Sequence, residues 1–286
     1  MIRLGEVQDL VIVKKVEFGV YVAPESAVHD SEAVKEQKIL LPSKYVPEGN
    51  SVGDHVKVFV YRDSKDRLVA TTLQPKLAMG QVARLRVAQV GKFGAFLDWG
   101  LEKDLMLPFK QQKKRVSEGE DVLVSLYIDK SDRLCATMNV YHDLRTDSPY
   151  QKDDRVTGTV YEISPNFGAF VAVDDIYSGL IAQKELYGDV RIGETITARV
   201  LKVKEDGKLD LSIREKAYLQ IAGDAEKVAE LIDRFGGALP FNDKASPEVI
   251  KRETGMSKNE FKRAVGNLLK NGRIKITEKG ILKISE

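Results

Sequence analysis

FGVYV at residues 18–22, FGAFL at 93–97 and FGAFV at 167–171 are three versions of one phrase, spaced about 75 residues apart. Each copy is followed by a short apolar run, then by a Gly-Asp or Gly-Glu turn, and finally by a charged turn that leads into a strand-like segment. Four landmarks that recur three times in the same order indicate an internal repeat. The chain is therefore predicted to be an array of small, similar domains.

Each repeat has the pattern of a small β-domain. In the third copy, short runs rich in Val, Ile, Thr and Phe alternate with Gly, Asp and Asn turns, which is typical of half-buried strands. These runs fall at residues 156–160, 167–173, 178–182, 195–203 and 209–213. Five strands in so short a repeat predict a closed Greek-key barrel, because closure removes the exposed sheet edges.

Polar segments that contain proline separate the repeats, at residues 74–76 and 146–149. We place the first three domains at 1–74, 75–145 and 146–218. From residue 224 to residue 235 the apolar residues fall at helical spacing, and Gly236-Gly237 ends the pattern. A fourth domain of a different kind is therefore predicted at 219–286.

The fourth domain has the order of a winged helix. Ser246 followed by Pro247 predicts one helix start, and Ser257 with Glu260 predicts a second start with a capping box. The second helix is expected to run to about Asn271 and to bury four apolar side chains: Phe261, Val265, Leu268 and Leu269. Two alternating segments, 273–277 and 280–284, then predict a two-stranded wing.

Composition excludes several classes of protein. The chain has 286 residues, of which 43% are hydrophobic and 31% charged, as in an ordinary soluble protein. It contains one cysteine, Cys135, whose position in an alternating strand predicts a small core residue rather than a reactive thiol. We find no signal-peptide pattern and no run of about 20 apolar residues, so a cytoplasmic protein without a membrane span is expected.

Charge is unevenly distributed along the chain. The net charge is only +2, but residues 244–283 contain eleven Lys or Arg and four Asp or Glu. Such an excess favours a polyanionic partner, although a solvated helix face would have the same composition.

The Phe-Gly-x-Phe phrase allows two interpretations. The rings could both lie in the barrel core, as most strand phenylalanines do. Alternatively, the glycine permits a bulge or tighter coil that brings both rings to one surface, where they would form a stacking platform for unpaired bases.

The landmarks resemble the RNA-binding repeat of ribosomal protein S1, an oligonucleotide-binding (OB) barrel. In that family the binding patch comprises two aromatics of this phrase, a His on the third strand, and an Asp and an Arg four residues apart. The resemblance implies Phe18, Tyr21, Asp63 and Arg67 in the first repeat, Phe93, Phe96, Asp129 and Arg133 in the second, and Phe167, Phe170, Lys204 and Lys208 in the third. The His is missing from all three, where we expect Leu40 or Leu41, Leu107 and Ala182 instead.

The third repeat matches best. Its segment from 199 to 204 is expected to alternate basic residues outward and apolar residues inward, which places Lys202 and Lys204 beside Phe167 and Phe170. Lys184 and Arg214 are expected to extend this surface. Cations beside stacking rings are the usual arrangement of a single-strand groove.

In the predicted winged helix, basic residues line the second helix and the wing: Lys258, Lys262, Arg263, Arg273, Lys275 and Lys279. They could contact phosphates while the helix enters a groove, or they could simply solvate a protein-interaction module.

The order of three such barrels and a winged helix resembles the conserved virulence factor B family of bacterial regulators. The fold implied is mainly β with a smaller α+β domain: three tandem five-stranded OB-type barrels followed by a winged-helix domain. The function implied is cytoplasmic binding of single-stranded RNA and post-transcriptional regulation, including that of virulence genes. No phosphate-binding loop or paired metal-ligand motif occurs in the sequence, so we expect neither catalysis nor a cofactor. A DNA-binding transcriptional regulator and a protein scaffold remain alternatives.

Overall fold

A computed structural model gives the structure of the chain and describes residues 1–63, 65–186, 188–214 and 217–284. Within these residues each repeat forms five strands. The first repeat contains β1 Val7–Val16, β2 Gly19–Ala23, β3 Ile39–Pro42, β4 His55–Arg62 and β5 Leu68–Thr71. The second contains β6 Val82–Val90, β7 Gly94–Asp98, β8 Leu105–Pro108, β9 Asp121–Ile128 and β10 Leu134–Thr137. The third contains β11 Arg155–Ser164, β12 Gly168–Val173, β13 Tyr177–Ala182, β14 Thr195–Val203 and β15 Leu209–Ser212.

The first and third barrels have the strand order one, two, three, five, four, and the second repeat has the same order without the pairing of its third and fifth strands. The first and third barrels close through a parallel contact of strands three and five, at Leu40 with Val69 and at residues 179–181 with residues 209–211. In the second repeat, β8 and β10 have no backbone pairing, although Leu107 and Ala136 from these strands share one core. The predicted mainly β fold with OB-type barrels is confirmed, and the second barrel is held together at this seam by side chains.

Consecutive barrels share apolar cores. Phe59, Tyr61 and Val69 of the first repeat are buried in the core of the second, where the Phe59 ring meets Trp99 edge to face at 5.6 Å between centroids. A second shared cluster joins the next pair of barrels: Leu123, Val140, Leu144, Tyr161 and Ala172. The three barrels therefore form one compact unit, Met1–Ile213.

The second compact unit, Arg214–Glu286, contains the winged helix. Its elements are α2 Ala217–Arg234, β16 Ala238–Leu239, α3 Pro247–Thr254, α4 Lys258–Lys270, β17 Ile274–Ile276 and β18 Ile281–Lys283. Both predicted caps are confirmed. The Ser246 hydroxyl accepts from the Val249 amide, and Ser257 and Glu260 form a reciprocal capping box. The two-stranded wing gains a third strand, because β16 pairs with β18.

An additional short helix, Ser31–Gln37, lies between β2 and β3 of the first barrel.

Two expectations for this unit were wrong. The helix predicted from residue 224 begins at Ala217, since a single internal glycine, Gly223, costs only about 1 kcal/mol relative to alanine. Leu269, expected in the core, is 46% exposed. The buried stripe of α4 consists of Phe261, Ala264, Val265 and Leu268. At about 100° per residue, Leu269 lies at the edge of that stripe rather than on it.

Candidate nucleic-acid interface

The first ring of each phrase lies in the turn before the second strand and faces solvent. Phe18 is 57% exposed, Phe93 70% and Phe167 62%. The second rings, Tyr21, Phe96 and Phe170, lie on the second strands and are half-buried. We call each such pair an aromatic platform.

The glycine between the two aromatics is required by close packing against the third strand. A Cβ at Gly19, Gly94 or Gly168 would lie 2.1–2.3 Å from a backbone carbonyl oxygen of the strand that follows. Gly168 also has a φ of +110°, which L-residues rarely adopt. The glycine therefore acts by close backbone approach. The β-bulge expected at this glycine lies instead on the neighbouring first strand.

In each barrel the polar positions implied by the S1 resemblance lie in the hairpin between the fourth and fifth strands, which we call the hairpin site. The backbone N–H donates to the carbonyl four residues on, from Asp63 to Arg67, from Asp129 to Arg133 and from Lys204 to Lys208, at 2.9–3.0 Å. In the first barrel the Arg67 side chain also donates to the Asp63 carboxylate. Although partial burial opposes it, hydrogen bonding from Arg67 holds the pKa of Asp63 below its usual value.

The residues expected in place of the missing His lie at different positions relative to the platforms. Residues directly opposite each other on antiparallel strands project to the same face. The residue opposite the second aromatic is Leu40 in the first barrel, Met106 in the second and Leu180 in the third. Leu107, which was expected there, is fully buried in the core. Ala182 lies opposite Gly168, the glycine of the Phe-Gly-x-Phe phrase itself.

The platform of the third barrel opens into a pocket of about 450 Å³. Phe167 and Phe170 contact each other, with 6.4 Å between ring centroids. Tyr141, from the segment after β10, stands edge-on to Phe170 at 6.1 Å, and Tyr161 on β11 contacts Phe170 at the same distance. We call this cavity, lined by Tyr141, Tyr161, Phe167, Phe170, Lys204 and Lys208 among others, the junction pocket.

The junction pocket is lined by two lysines, Lys204 and Lys208, and by two carboxylates, Glu162 and Asp206. Lys204 lies 3.1 Å from the Asp210 carboxylate, and Lys208 lies 2.7 Å from that of Asp206. The Lys208 ammonium also sits 5.6 Å from the centroid of the Tyr141 ring, a cation–π distance. Hydrogen bonding to Asp206 raises the pKa of Lys208, so this lysine stays cationic at neutral pH.

Three other predicted residues do not line the junction pocket. Lys184, in the short turn after β13, is exposed, and so are Lys202 and Arg214. The expected alternation along β14 was wrong beyond Val200, because the register against β15 shifts between Val200 and Lys202. Val203, expected to face inward, is consequently 38% exposed.

The platform of the second barrel borders a pocket that residues of the first barrel help to line. Phe96 lines a pocket of about 250 Å³ whose other walls include Tyr61 and Arg62 of the first barrel. The Arg62 guanidinium donates to the Asp132 carbonyl at 2.7 Å. Arg133 forms an ion pair with Asp66 of the first barrel at 2.6 Å, so its charge is compensated by a contact between the two barrels.

Lysines approach two other platform rings. The Lys38 ammonium lies 5.0 Å from the Tyr21 centroid, and the Lys92 ammonium lies 5.6 Å from that of Phe93. Both distances fit cation–π contacts at exposed sites.

In the winged helix, Lys262 and Arg263 are exposed on α4, and Lys275 is exposed on the wing, whereas Lys258 is half-buried at the start of α4. Arg273 is paired with Glu226 across to α2. In the part of the chain that the structure describes, no side chain forms an ion pair with Lys262, Arg263 or Lys275.

Sequence reasoning missed Tyr141 and Tyr161. The available signal for Tyr161 was the adjacent apolar pair Val160-Tyr161, because two neighbouring buried residues in an alternating strand mark a bulge. Tyr141 lies outside any strand, and nothing in the local pattern distinguishes it.

The described residues contain no helix long and apolar enough to cross a membrane. Over the same residues, no group of three His, Cys, Asp or Glu side chains is placed to hold a metal ion.

Sequence families match along most of the chain. The S1 domain family matches residues 4–73 and 79–139, the second domain of virulence regulatory factor CvfB matches 143–215, and the CvfB-like winged helix domain matches 226–282. These are nucleic-acid-binding domain types rather than enzymatic ones, which indicates nucleic-acid binding in general.

Individual relatives resemble nearly the whole chain. The uncharacterized protein YitL of Bacillus subtilis is 32% identical over 248 residues, covering 84% of this chain and 83% of that protein. Conserved virulence factor B of Staphylococcus saprophyticus is 27% identical over 292 residues, covering 94% and 96%. A crystal structure of a multidomain protein with nucleic acid binding domains from Streptococcus pneumoniae is 27% identical, with 98% of both chains covered and a TM-score of 0.48. On the strength of the sequence relatives and the matched domains, this chain belongs to the conserved virulence factor B family.

Proposed function

We propose that this protein binds single-stranded RNA, with unpaired bases stacked on the aromatic platforms and phosphates held by neighbouring lysines. The winged helix supplies a second basic surface for the same strand. In this proposal the protein acts in the cytoplasm as a non-enzymatic, post-transcriptional regulator of bacterial gene expression, including that of virulence genes.

The exposed ring of Phe167 is the observation that carries the proposal. A large apolar side chain that is 62% exposed adds little to the core, yet it lies in contact with a second ring and beside two lysines. Stacking of a base on such a ring contributes about 1–3 kcal/mol to binding, and it tolerates any sequence because every base has a π-face. The arrangement suits a single strand, whose bases are free to stack.

The third barrel is the best candidate for the main binding surface. Its hairpin site carries Lys204 and Lys208, where the other barrels carry an aspartate and an arginine. Two ammonium groups attract a phosphate backbone, whereas Asp63 and Asp129 repel it. The second platform, moreover, is partly walled by the first barrel.

A DNA-binding regulator is the second candidate, because Lys262 and Arg263 are exposed on α4 and have no ion pair among the described residues. A helix of this kind can enter a major groove while the wing contacts phosphates. Under this alternative the barrels would act as spacers.

Fluorescence anisotropy of the full chain separates these functions. Single-stranded RNA, single-stranded DNA and duplex DNA of matched length are titrated across a salt series. We expect the tightest binding for single-stranded RNA, with an affinity that falls steeply with salt because counterions are released at each phosphate contact. Tighter binding of the duplex would favour the DNA-binding regulator, and binding of none of the three would favour a protein scaffold.

A further inference from the structure

The three barrels share a β-bulge on the first strand, directly opposite the platform strand. The register shifts between Ile12 and Lys14 in β1, between Val87 and Gln89 in β6, and between Val160 and Glu162 in β11. The bulged residues are therefore Val13, Ala88 and Tyr161. A bulge re-aims the side chain that it carries, and in the third barrel this side chain has a hydroxyl group.

The Tyr161 hydroxyl is buried without a partner. Tyr161 is only 3% exposed, and its hydroxyl oxygen forms no hydrogen bond with any described residue. Burial raises the pKa of this phenol, so the group stays protonated and can donate. Buried hydroxyls in proteins almost always have a partner. Since the same bulge carries valine and alanine in the other barrels, the fold itself does not require a hydroxyl there.

The surroundings of Tyr161 fit a planar ligand with a polar edge. Its ring lines the junction pocket together with Phe167 and Phe170, and the pocket volume of about 450 Å³ falls in the range of small-molecule sites. Tyr141, which is 40% exposed, covers the rim through its edge-on contact with Phe170. Aromatic walls on several sides favour a flat ring, and Lys204 and Lys208 favour hydrogen-bond acceptors on its edge.

We propose that the junction pocket takes one unpaired nucleobase of the bound RNA, and that Tyr161 is a specificity-determining residue whose hydroxyl hydrogen-bonds to the base edge. The Tyr141 ring forms one wall of this base site. The pocket carboxylates, Glu162 and Asp206, are already paired with Lys113 and Lys208. The Tyr161 hydroxyl and the two ammonium groups therefore select a base rich in carbonyl acceptors, uracil or guanine, over adenine. This inference rests on the proposed function and adds base preference to it.

The test compares oligo(U) with oligo(A) of equal length in anisotropy titrations of full-length variants. Tyr161→Phe removes one oxygen atom that has no partner in the free protein, so the melting temperature should stay equal or rise. We expect wild type to prefer oligo(U), and Tyr161→Phe to reduce that preference by about five- to tenfold, the size of one net hydrogen bond. Tyr141→Ala should weaken binding of both RNAs by a similar factor, because it removes a wall and no edge contact.

Tyr150→Phe is the matched control. It makes the same chemical change in the same barrel, but the Tyr150 hydroxyl is already bonded to Asp174 and lies outside the pocket. A Tyr161→Phe protein that retains the wild-type ratio of oligo(U) to oligo(A) affinity would overturn the base pocket. Wild type that binds both RNAs equally would overturn it as well while leaving the proposed function in place. Wild type that binds neither RNA would overturn both.

Discussion

At the scale of single residues, the two rings of the third platform have different roles. Phe167 is mostly exposed, whereas Phe170 is half-buried and contacts Tyr141, Tyr161 and Phe167. Truncation of Phe167 should therefore affect binding alone. Truncation of Phe170 should lower stability as well, because it leaves a gap between the barrels.

We predict that Phe167→Ala weakens RNA binding by about 1–3 kcal/mol, the contribution of one stacked base. Its melting temperature should match that of wild type. Ile176→Ala is a suitable control, since Ile176 is exposed on the same barrel but outside the pocket. Equal RNA affinities of Phe167→Ala and wild type would rule out stacking on this ring.

Cys135 provides a test of burial that is independent of ligand. The thiol is 4% exposed, and burial raises its pKa to about 11. Because the thiolate is the reactive form, a thiol reagent should modify the native protein very slowly at neutral pH, and faster as the pH rises toward 11. Rapid labelling of the native chain at neutral pH, as fast as in denaturant, would show that Cys135 is not a core residue.

Residue roles were only partly predictable from sequence. The spacing of the landmarks identified Phe167, Lys204 and Lys208, which the structure brings into one pocket. Sequence gave no sign of Tyr141, which comes from the preceding barrel, and its only signal for Tyr161 was the adjacent apolar pair Val160-Tyr161 at a bulge. It also expected Leu107 near the missing His, but Leu107 is fully buried in the core, and the residue opposite Phe96 is its neighbour Met106.

At the scale of elements, two glycines should respond to alanine with opposite signs. A Cβ at Gly168 would lie 2.1 Å from the Ile181 carbonyl oxygen, whereas Gly266 in α4 has open space around it. We predict that Gly168→Ala destabilises the barrels by more than about 1 kcal/mol, since neither space nor φ permits the substitution. Gly266→Ala should stabilise α4 by about 0.5–1 kcal/mol through helix propensity.

Denaturant unfolding can measure the two changes separately. Trp99 is the single tryptophan and lies in the barrels, so its fluorescence reports Gly168→Ala, while far-ultraviolet circular dichroism reports the helices. A neutral Gly168→Ala would contradict the close approach of β12 and β13.

Element types followed from the sequence because alternation and capping are local signals. The caps at Ser246 and Ser257 and the five strands per barrel are of this kind. The bulges in β11 and β14 are not, because they depend on the register of a neighbouring strand. Closure of a barrel by pairing of its third and fifth strands likewise depends on contacts between residues far apart in sequence. The third and fifth strands of the second barrel, β8 and β10, lack the backbone pairing that the other two barrels have.

At the scale of the whole molecule, the shared cores make neighbouring barrels interdependent. Phe59 is fully buried and contacts Trp99 of the next barrel. We predict that Phe59→Ala costs about 3–5 kcal/mol and weakens the second barrel along with the first. Hydrogen exchange should show lost protection in β6 and β9 as well as in β4. Loss confined to the first barrel would mean that the barrels fold independently.

The repeat period predicted an array, but it did not predict that the barrels would share cores. Phe59 faces away from its own core, to which Val56, Val58 and Val60 of the same strand belong, and only the packing of two repeats shows that it lies in the next core. The same packing makes the third platform different from the others, because it adds Tyr141 as a wall.

The most direct test of single-strand binding on the third barrel is photo-crosslinking of the full chain to single-stranded RNA that contains 4-thiouridine, followed by peptide mass spectrometry. We expect crosslinks at Phe167, Phe170 and Tyr141, which decrease when unlabelled RNA competes. Crosslinks confined to α4 and the wing, with none on the third barrel, would contradict it.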